Sequence, residues 1–151
     1  PNSWADGTQV VLGQDAIDFD LTLQSIEPST QNATQIKTQI ATLVVRHLPP
    51  AQQKIQLAAP WMREPVGSAP NNWVEVEKNK GGYDAEVGLE TFAATIRLSL
   101  PSGRILSATL ENPVDVRARS CDDASLTTCG PPQTYRIVRH ITIEADAASL
   151  P

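Results

Sequence analysis

The sequence predicts an all-β fold, an antiparallel β-sandwich of about seven or eight strands, with a small β-barrel as the alternative. Apolar and polar residues alternate with a period of two along several segments, as they do in half-buried strands. Turn-forming Gly, Pro and Asn residues separate these segments, and no segment has a persuasive helical periodicity. The connections between them differ greatly in length, which favours the sandwich over the barrel.

The composition predicts a single folded domain, 1–151. Of the 151 residues, 40% are hydrophobic and 19% are charged, which is typical of a folded chain and not of a disordered one. The net charge is -5, and the arginines are scattered among acidic residues, so we expect no nucleic-acid partner and no binding to an anionic membrane surface. No apolar run approaches the length that crosses a bilayer, so we expect no membrane insertion.

The first strand is predicted at residues 17–24, where Phe19 and Leu21 alternate with polar residues, and a turn follows at 27–32. Residues 34–48 fit either a helix or a strand. Ile36 and Ile40 lie at helical spacing, whereas β-branched residues at every second position favour a strand, which we predict.

The second half of the chain is predicted to contain further strands and the clearest hairpin. Asn112-Pro113 is expected to break or bulge the returning strand of this hairpin. Arg139 shares the apolar face of the last strand and therefore requires a partner or an edge position. The predicted segments are a short strand at 54–58, a long loop at 59–72, a strand at 73–77, the hairpin strands at 91–100 and 104–110, and strands at 114–117 and 135–144.

Cys121 and Cys129 are predicted to form a disulfide, because the short polar segment between them bends easily. Two free thiols are the alternative. A metal site is not expected, because the spacing is not C-x-x-C and no second Cys/His pair lies nearby. A disulfide indicates an oxidising compartment, so we expect the chain to be secreted, periplasmic or at a cell surface.

No motif predicts catalysis, and neither a cofactor nor a metal is expected. His47 and His140 lie inside predicted strands, and the sequence has no G-x-S-x-G motif. Glu75 and Glu77 share a strand face at a separation of about 6.6 Å, which suits retaining glycoside hydrolysis. Carboxylates at alternate positions are, however, also typical of a solvated strand face. An enzymatic role is therefore less expected than a non-enzymatic one.

Three aromatic residues and one amide are the candidate binding residues. Exposed aromatic rings stack on sugar rings or anchor protein partners, and an amide can bond hydroxyl groups. The alternative is that the rings pack into the core. The candidates are Trp61, Trp73, Tyr83 and Asn72.

These observations favour a non-enzymatic extracytoplasmic binding domain that contacts a protein through an exposed edge strand or an aromatic loop. The first alternative is a carbohydrate-binding module that uses exposed aromatic rings on a glycan. The second is a secreted hydrolase, or an inhibitor of one that presents either Arg63-Glu64-Pro65 or the cysteine loop.

Overall fold

The computed structural model describes residues 10–14, 18–28, 39–48, 50–52 and 54–145. These residues form eight strands and one short 3-10 helix, and the predicted all-β class is confirmed. All eight strands belong to one hydrogen-bonded sheet, whereas a sandwich divides its strands between two sheets. The elements are β1 (Val10–Gln14), β2 (Asp18–Pro28), β3 (Gln39–Leu48), the 3-10 helix (Pro60–Arg63), β4 (Trp73–Asn79), β5 (Gly82–Glu90), β6 (Ala93–Ser99), β7 (Ile105–Cys121) and β8 (Gln133–Glu144).

The chain divides into two compact units. The described residues of the first unit fall within 1–18, 49–91 and 113–137, and those of the second within 19–48, 92–112 and 138–151. In the first unit the strand order is β1-β4-β5-β7, and in the second it is β2-β3-β6-β7. β8 pairs with β7. The pairs β1–β4, β3–β6, β4–β5, β5–β7 and β6–β7 are antiparallel.

The first unit has a closed core, because the loop between β3 and β4 folds over one face of its strands. The 3-10 helix in this loop begins at Pro60 and buries Trp61 and Met62. These side chains pack with Leu57 and Leu126 and with residues of β4 and β5. Residues 54–58, predicted as a strand, are loop, and Leu57 is buried because this loop inserts into the core rather than pairing.

Two buried amides hold this loop in place. The Asn71 Nδ2 atom donates hydrogen bonds to the carbonyl oxygens of Met62 and Glu64, and its Oδ1 atom accepts one from the Val66 amide. Asn72 exchanges two hydrogen bonds of 2.9 Å with the backbone of Glu90 at the end of β5. Side-chain amides thus satisfy backbone groups that no strand pairs, which explains how an irregular segment can cover a core.

In the second unit, residues 39–48 form the predicted strand; residues 34–38 lie outside the described residues. Leu43 pairs with Ile96, and Val45 pairs with Ala94, so one side of β3 and β6 is apolar. The Phe92 ring stacks on the His47 ring, with the two ring centroids 5.4 Å apart. The centroid of the Phe92 ring also lies 4.7 Å from that of Phe19. Among the described residues of this unit, Ala41 is the one fully buried hydrophobic side chain.

The predicted β6–β7 hairpin is confirmed, but the expected break at Asn112-Pro113 is wrong. β7 runs through Pro113 without a change of register, since Ala93 pairs with Glu111 and Glu90 with Val114. The interruption lies instead in the partner strand, between β5 and β6. At this interruption the Thr91 amide donates a hydrogen bond to the Pro113 carbonyl. Pro113 takes part in this bond only as an acceptor, so the backbone N–H that proline lacks is not required for it.

Two strands were not predicted from the sequence, β1 and β5. No helix in the described ranges has both the length and the apolar character needed to cross a membrane.

Candidate interaction surface

Exposed apolar side chains are concentrated in the second unit. Of the twelve large hydrophobic residues that are exposed in the described ranges, ten belong to this unit. A monomeric soluble protein rarely leaves so many together, and such patches mark contact surfaces. The ten are Phe19, Leu21, Leu23, Ile26, Leu48, Leu100, Ile105, Val138, Ile141 and Ile143.

Three of these residues alternate along β2 and project from one side of it. Phe19, Leu21 and Leu23 are 51%, 62% and 54% exposed. The Phe19 ring contacts the His47 and Phe92 rings, which places this side of β2 on the apolar side of β3 and β6. Among the described strands, β3 is the only neighbour of β2; no described strand pairs with its other edge, which we call open in that sense.

β8 has the same character. All its residues are exposed, and β7 is its only neighbour among the strands that the structure describes. The Arg139 guanidinium donates a 2.9 Å hydrogen bond to Asn112 of β7, which supplies the partner that its apolar position requires. This contact places Ile141 and Ile143 on the side of β7 that carries Leu110, since side chains two apart share a face.

Together these side chains form one continuous surface of the second unit, which we call the apolar face. Its centre is half-buried and its two edges are exposed. The apolar face consists of Phe19, Leu21 and Leu23 of β2, Leu43 and Val45 of β3, Ile96 and Leu98 of β6, Leu110 of β7, and Ile141 and Ile143 of β8.

The opposite face of this unit carries both polar and apolar side chains, among them the exposed Ile26 of β2 and Val138 of β8. It forms an open groove of about 520 Å³, lined by side chains that include Thr95, Thr109, Glu111 and His140. The His140 Nδ1 atom lies 3.8 Å from the Glu111 carboxylate.

The candidate aromatic residues lie in the first unit and pack inward. Trp61 and Trp73 are each 9% exposed. The Trp61 Nε1 atom donates a 2.9 Å hydrogen bond to the Leu126 carbonyl, and the Arg119 guanidinium lies 5.3 Å from the ring centroid. Tyr83 is half-buried against the same core. The tryptophan rings therefore lack the free face that stacking on a sugar requires.

The amide candidate, Asn72, is 2% exposed, and its side chain bonds the backbone of Glu90. The four candidate residues therefore do not form a common exposed platform. Sequence alone left the choice between platform and core open, because both uses of an aromatic ring give the same local pattern.

Carboxylates gather on the outer side of β4 and β5. Glu75 lies opposite Glu86, and Glu77 lies opposite Asp84. An open cavity of about 280 Å³ beside them is lined by residues that include Asp84, Glu86, Ser120 and Gln133. The sequence pattern did not indicate Asp84 and Glu86, because spacing along one strand does not show which residues of a second strand lie opposite. Here the carboxylates of β5 lie beside those of β4 only through strand pairing.

Tyr135 of β8 is the exposed aromatic residue beside these carboxylates, and its hydroxyl donates a 2.8 Å hydrogen bond to Glu86. Partial burial, this hydrogen bond, and the negative charges of Glu86 and Glu75 raise the pKa of Tyr135 to about 12. The neutral phenol is favoured in the folded state. Its contribution to stability is therefore present below pH 10 and is lost as the pH rises towards 12.

We expect a spectroscopic titration of the Tyr83→Phe variant, which retains Tyr135 as its one tyrosine, to show phenolate formation near pH 12 while the chain is folded. Glu86→Gln in the same background should move the midpoint towards 10, because it removes a neighbouring negative charge. Midpoints near 10 in both variants would contradict the contact between Tyr135 and Glu86.

The predicted disulfide is confirmed: the Cys121 and Cys129 sulfurs are bonded at 2.05 Å. Within the loop that it closes, the Asp123 carboxylate accepts hydrogen bonds from the Ser125 hydroxyl and from the Thr127 and Thr128 backbone amides. These bonds, that from Ser125 foremost, hold the pKa of Asp123 well below its usual range. The loop is thus held by its own side chains.

The other candidate loop, Arg63-Glu64-Pro65, is fixed by hydrogen bonds from a side chain of β7. The Arg117 guanidinium donates to the Glu64 carboxylate and carbonyl at 3.1 Å and to the Pro65 carbonyl at 3.5 Å. Within the described residues, no three His, Cys, Asp or Glu side chains form a group that could hold a metal ion.

Comparison with known proteins gives no independent assignment. No family model matches this chain, and neither a curated protein nor a solved structure matches it significantly. A functional assignment therefore depends on the geometry of the two units.

Proposed function

We propose that this chain is a non-enzymatic extracytoplasmic interaction domain that binds a protein through the apolar face and its two open strand edges. The observation that carries the proposal is the exposure of apolar side chains on both edge strands, β2 and β8. An open edge offers backbone hydrogen bonds to an added strand, and the neighbouring apolar side chains supply affinity.

The size of the surface supports this role. The five outermost side chains of the apolar face are each about half exposed. They present on the order of 400 Å² of apolar surface, which is within the range of functional patches on monomers. Burying that area contributes about 10 kcal/mol before the costs of association are subtracted. These five side chains are Phe19, Leu21, Leu23, Ile141 and Ile143.

The disulfide supports a location outside the cytoplasm, since such bonds persist in oxidising compartments. The carbohydrate-binding alternative has less support, because Trp61 and Trp73 are buried. The hydrolase alternative has less support: the Ser120 hydroxyl donates a 2.7 Å hydrogen bond to Asp84 in one described cavity, but no histidine lines that cavity to act as its base.

The test compares the wild-type chain with the double variant Leu21→Thr, Leu23→Thr. Threonine keeps the strand propensity of β2 and removes apolar surface from the apolar face. Immobilised chains are exposed to secreted and periplasmic extracts of the source organism, and the bound protein is quantified and mapped by hydrogen exchange. We expect the double variant to lose at least about tenfold in affinity, and the wild-type chain to gain protection along β2 or β8.

The matched control is Leu100→Thr, which removes one exposed apolar side chain at the β6–β7 turn, outside the two edge strands. It should bind as the wild type does. Equal binding by the wild type and the β2 variant, or protection confined to the cysteine loop, would reject the proposed function.

A further inference from the structure

We infer that the partner of the apolar face is a second copy of this chain, with β2 of one copy docked beside β8 of the next. This inference rests on the proposed function and names its partner. It is carried by the opposite charges of the two open edges.

The two edge strands differ in charge. β2 contains Asp18, Asp20 and Glu27 and no basic residue, so its net charge is -3. β8 contains Arg136, Arg139 and Glu144, so its net charge is +1 with its histidine neutral. Opposite charges on neighbouring strands attract and stabilise the pairing of those strands.

The same charges disfavour pairing of like edges. Two copies of β2 side by side would bring carboxylates together, and two copies of β8 would bring arginines together. Like charges directly opposite one another destabilise a sheet. Among the pairings of these two edges, β2 with β8 is therefore the one in which the charges attract.

The alternation of side chains is also compatible with this pairing. Phe19, Leu21 and Leu23 occupy the odd positions of β2, and Ile141 and Ile143 occupy odd positions of β8. Any register that brings these apolar side chains to one side of the joined sheet also brings the even positions to the other side. Asp18 and Asp20 then share that second side with Arg136 and His140.

A β2–β8 contact is heterologous, because it joins two different surfaces. Each copy keeps one open edge after it has docked, so further copies can add, and the assembly either closes into a ring or continues as a filament. The apolar face then becomes continuous across copies, and the side chains exposed at each edge become buried.

The test uses two charge reversals, Asp20→Lys on β2 and Arg136→Glu on β8. Both side chains occupy the polar side of their edge strands, and Arg136 is 60% exposed and lies 3.7 Å from Asp115 of its own copy. Sedimentation velocity over a range of protein concentrations at low salt measures association, and thermal unfolding shows that each variant is folded.

The wild-type chain should associate as its concentration rises. Each single reversal should weaken association at least about tenfold, because it places like charges at the contact. An equimolar mixture of the two variants should associate again, because every mixed contact pairs opposite charges. The double variant should associate with itself and not with the wild type. The controls Glu77→Lys and Arg97→Glu, which lie away from these edges, should behave as the wild type.

The failures of the two proposals are distinguishable. A wild-type chain that stays monomeric at every concentration overturns this inference, and so does an Arg136→Glu variant that associates as the wild type does. If binding from extracts is nevertheless lost in the Leu21→Thr, Leu23→Thr variant, the proposed function stands with a different partner. If that binding is unchanged, the proposed function fails as well.

Discussion

Replacing Trp61 with alanine is expected to lower the free energy of unfolding by about 3–5 kcal/mol. The ring is 9% exposed and packs with Leu57, Met62 and Leu126 in the core of the first unit. Its removal leaves a cavity beneath the loop, and the Leu126 carbonyl loses the hydrogen bond from the indole. Chemical denaturation followed by circular dichroism measures the loss.

Two further variants separate packing from hydrogen bonding. Trp61→Phe keeps most of the apolar volume and removes the indole donor, so it should cost roughly 1–3 kcal/mol. Leu100→Ala, at an exposed turn, should change the free energy of unfolding by at most about 0.5 kcal/mol. A Trp61→Ala variant as stable as the wild type, but defective in binding, would show instead that the ring serves a ligand.

Replacing Gly88 with alanine is expected to destabilise the first unit by about 3 kcal/mol. A Cβ atom built at this position would lie 2.5 Å from the Asp115 backbone oxygen and 2.6 Å from two atoms of the Trp73 ring. The ring can shift, but the backbone oxygen belongs to the paired strand β7. Relief of the clash therefore requires β5 and β7 to separate locally.

Gly81→Ala is the matched control for this substitution. Its added Cβ atom would meet only the Asn79 side chain, at an ordinary 3.7 Å. Thermal unfolding should therefore show a large decrease in Tm for Gly88→Ala and a small change for Gly81→Ala. Equal Tm values for the two variants would contradict the close packing of Trp73 against β5.

The alternation of apolar and polar residues along the chain predicted β2, β3, β6 and β7, because each of these strands has a distinct apolar side. It failed for β5, where Ala85 and Gly88 weaken the contrast between the two sides. The loop of the first unit was also beyond local patterns. It is ordered by Asn71 and Asn72, and the partner of Asn72 is Glu90, at the end of a strand eighteen residues away in sequence.

The surface was predictable only in part. The period of two in β2 identifies Phe19, Leu21 and Leu23 as one side of a strand, but the same pattern serves a covered core and an uncovered face. Which of these applies depends on whether another segment packs there, and that is a long-range property. Trp61 shows the opposite case: its place in a loop suggested contact with a ligand, but its side chain is buried in the core.

The loop that covers the core of the first unit also determines how readily a protease cleaves that unit. Arg63 is exposed and offers a trypsin site, yet it directly follows the buried Trp61 and Met62. Cleavage requires an extended segment, so this part of the chain must first leave the core and lose its bonds to Asn71. The rate of cutting at Arg63 therefore reports the free energy of opening the core, although the bond that is cut lies at the surface.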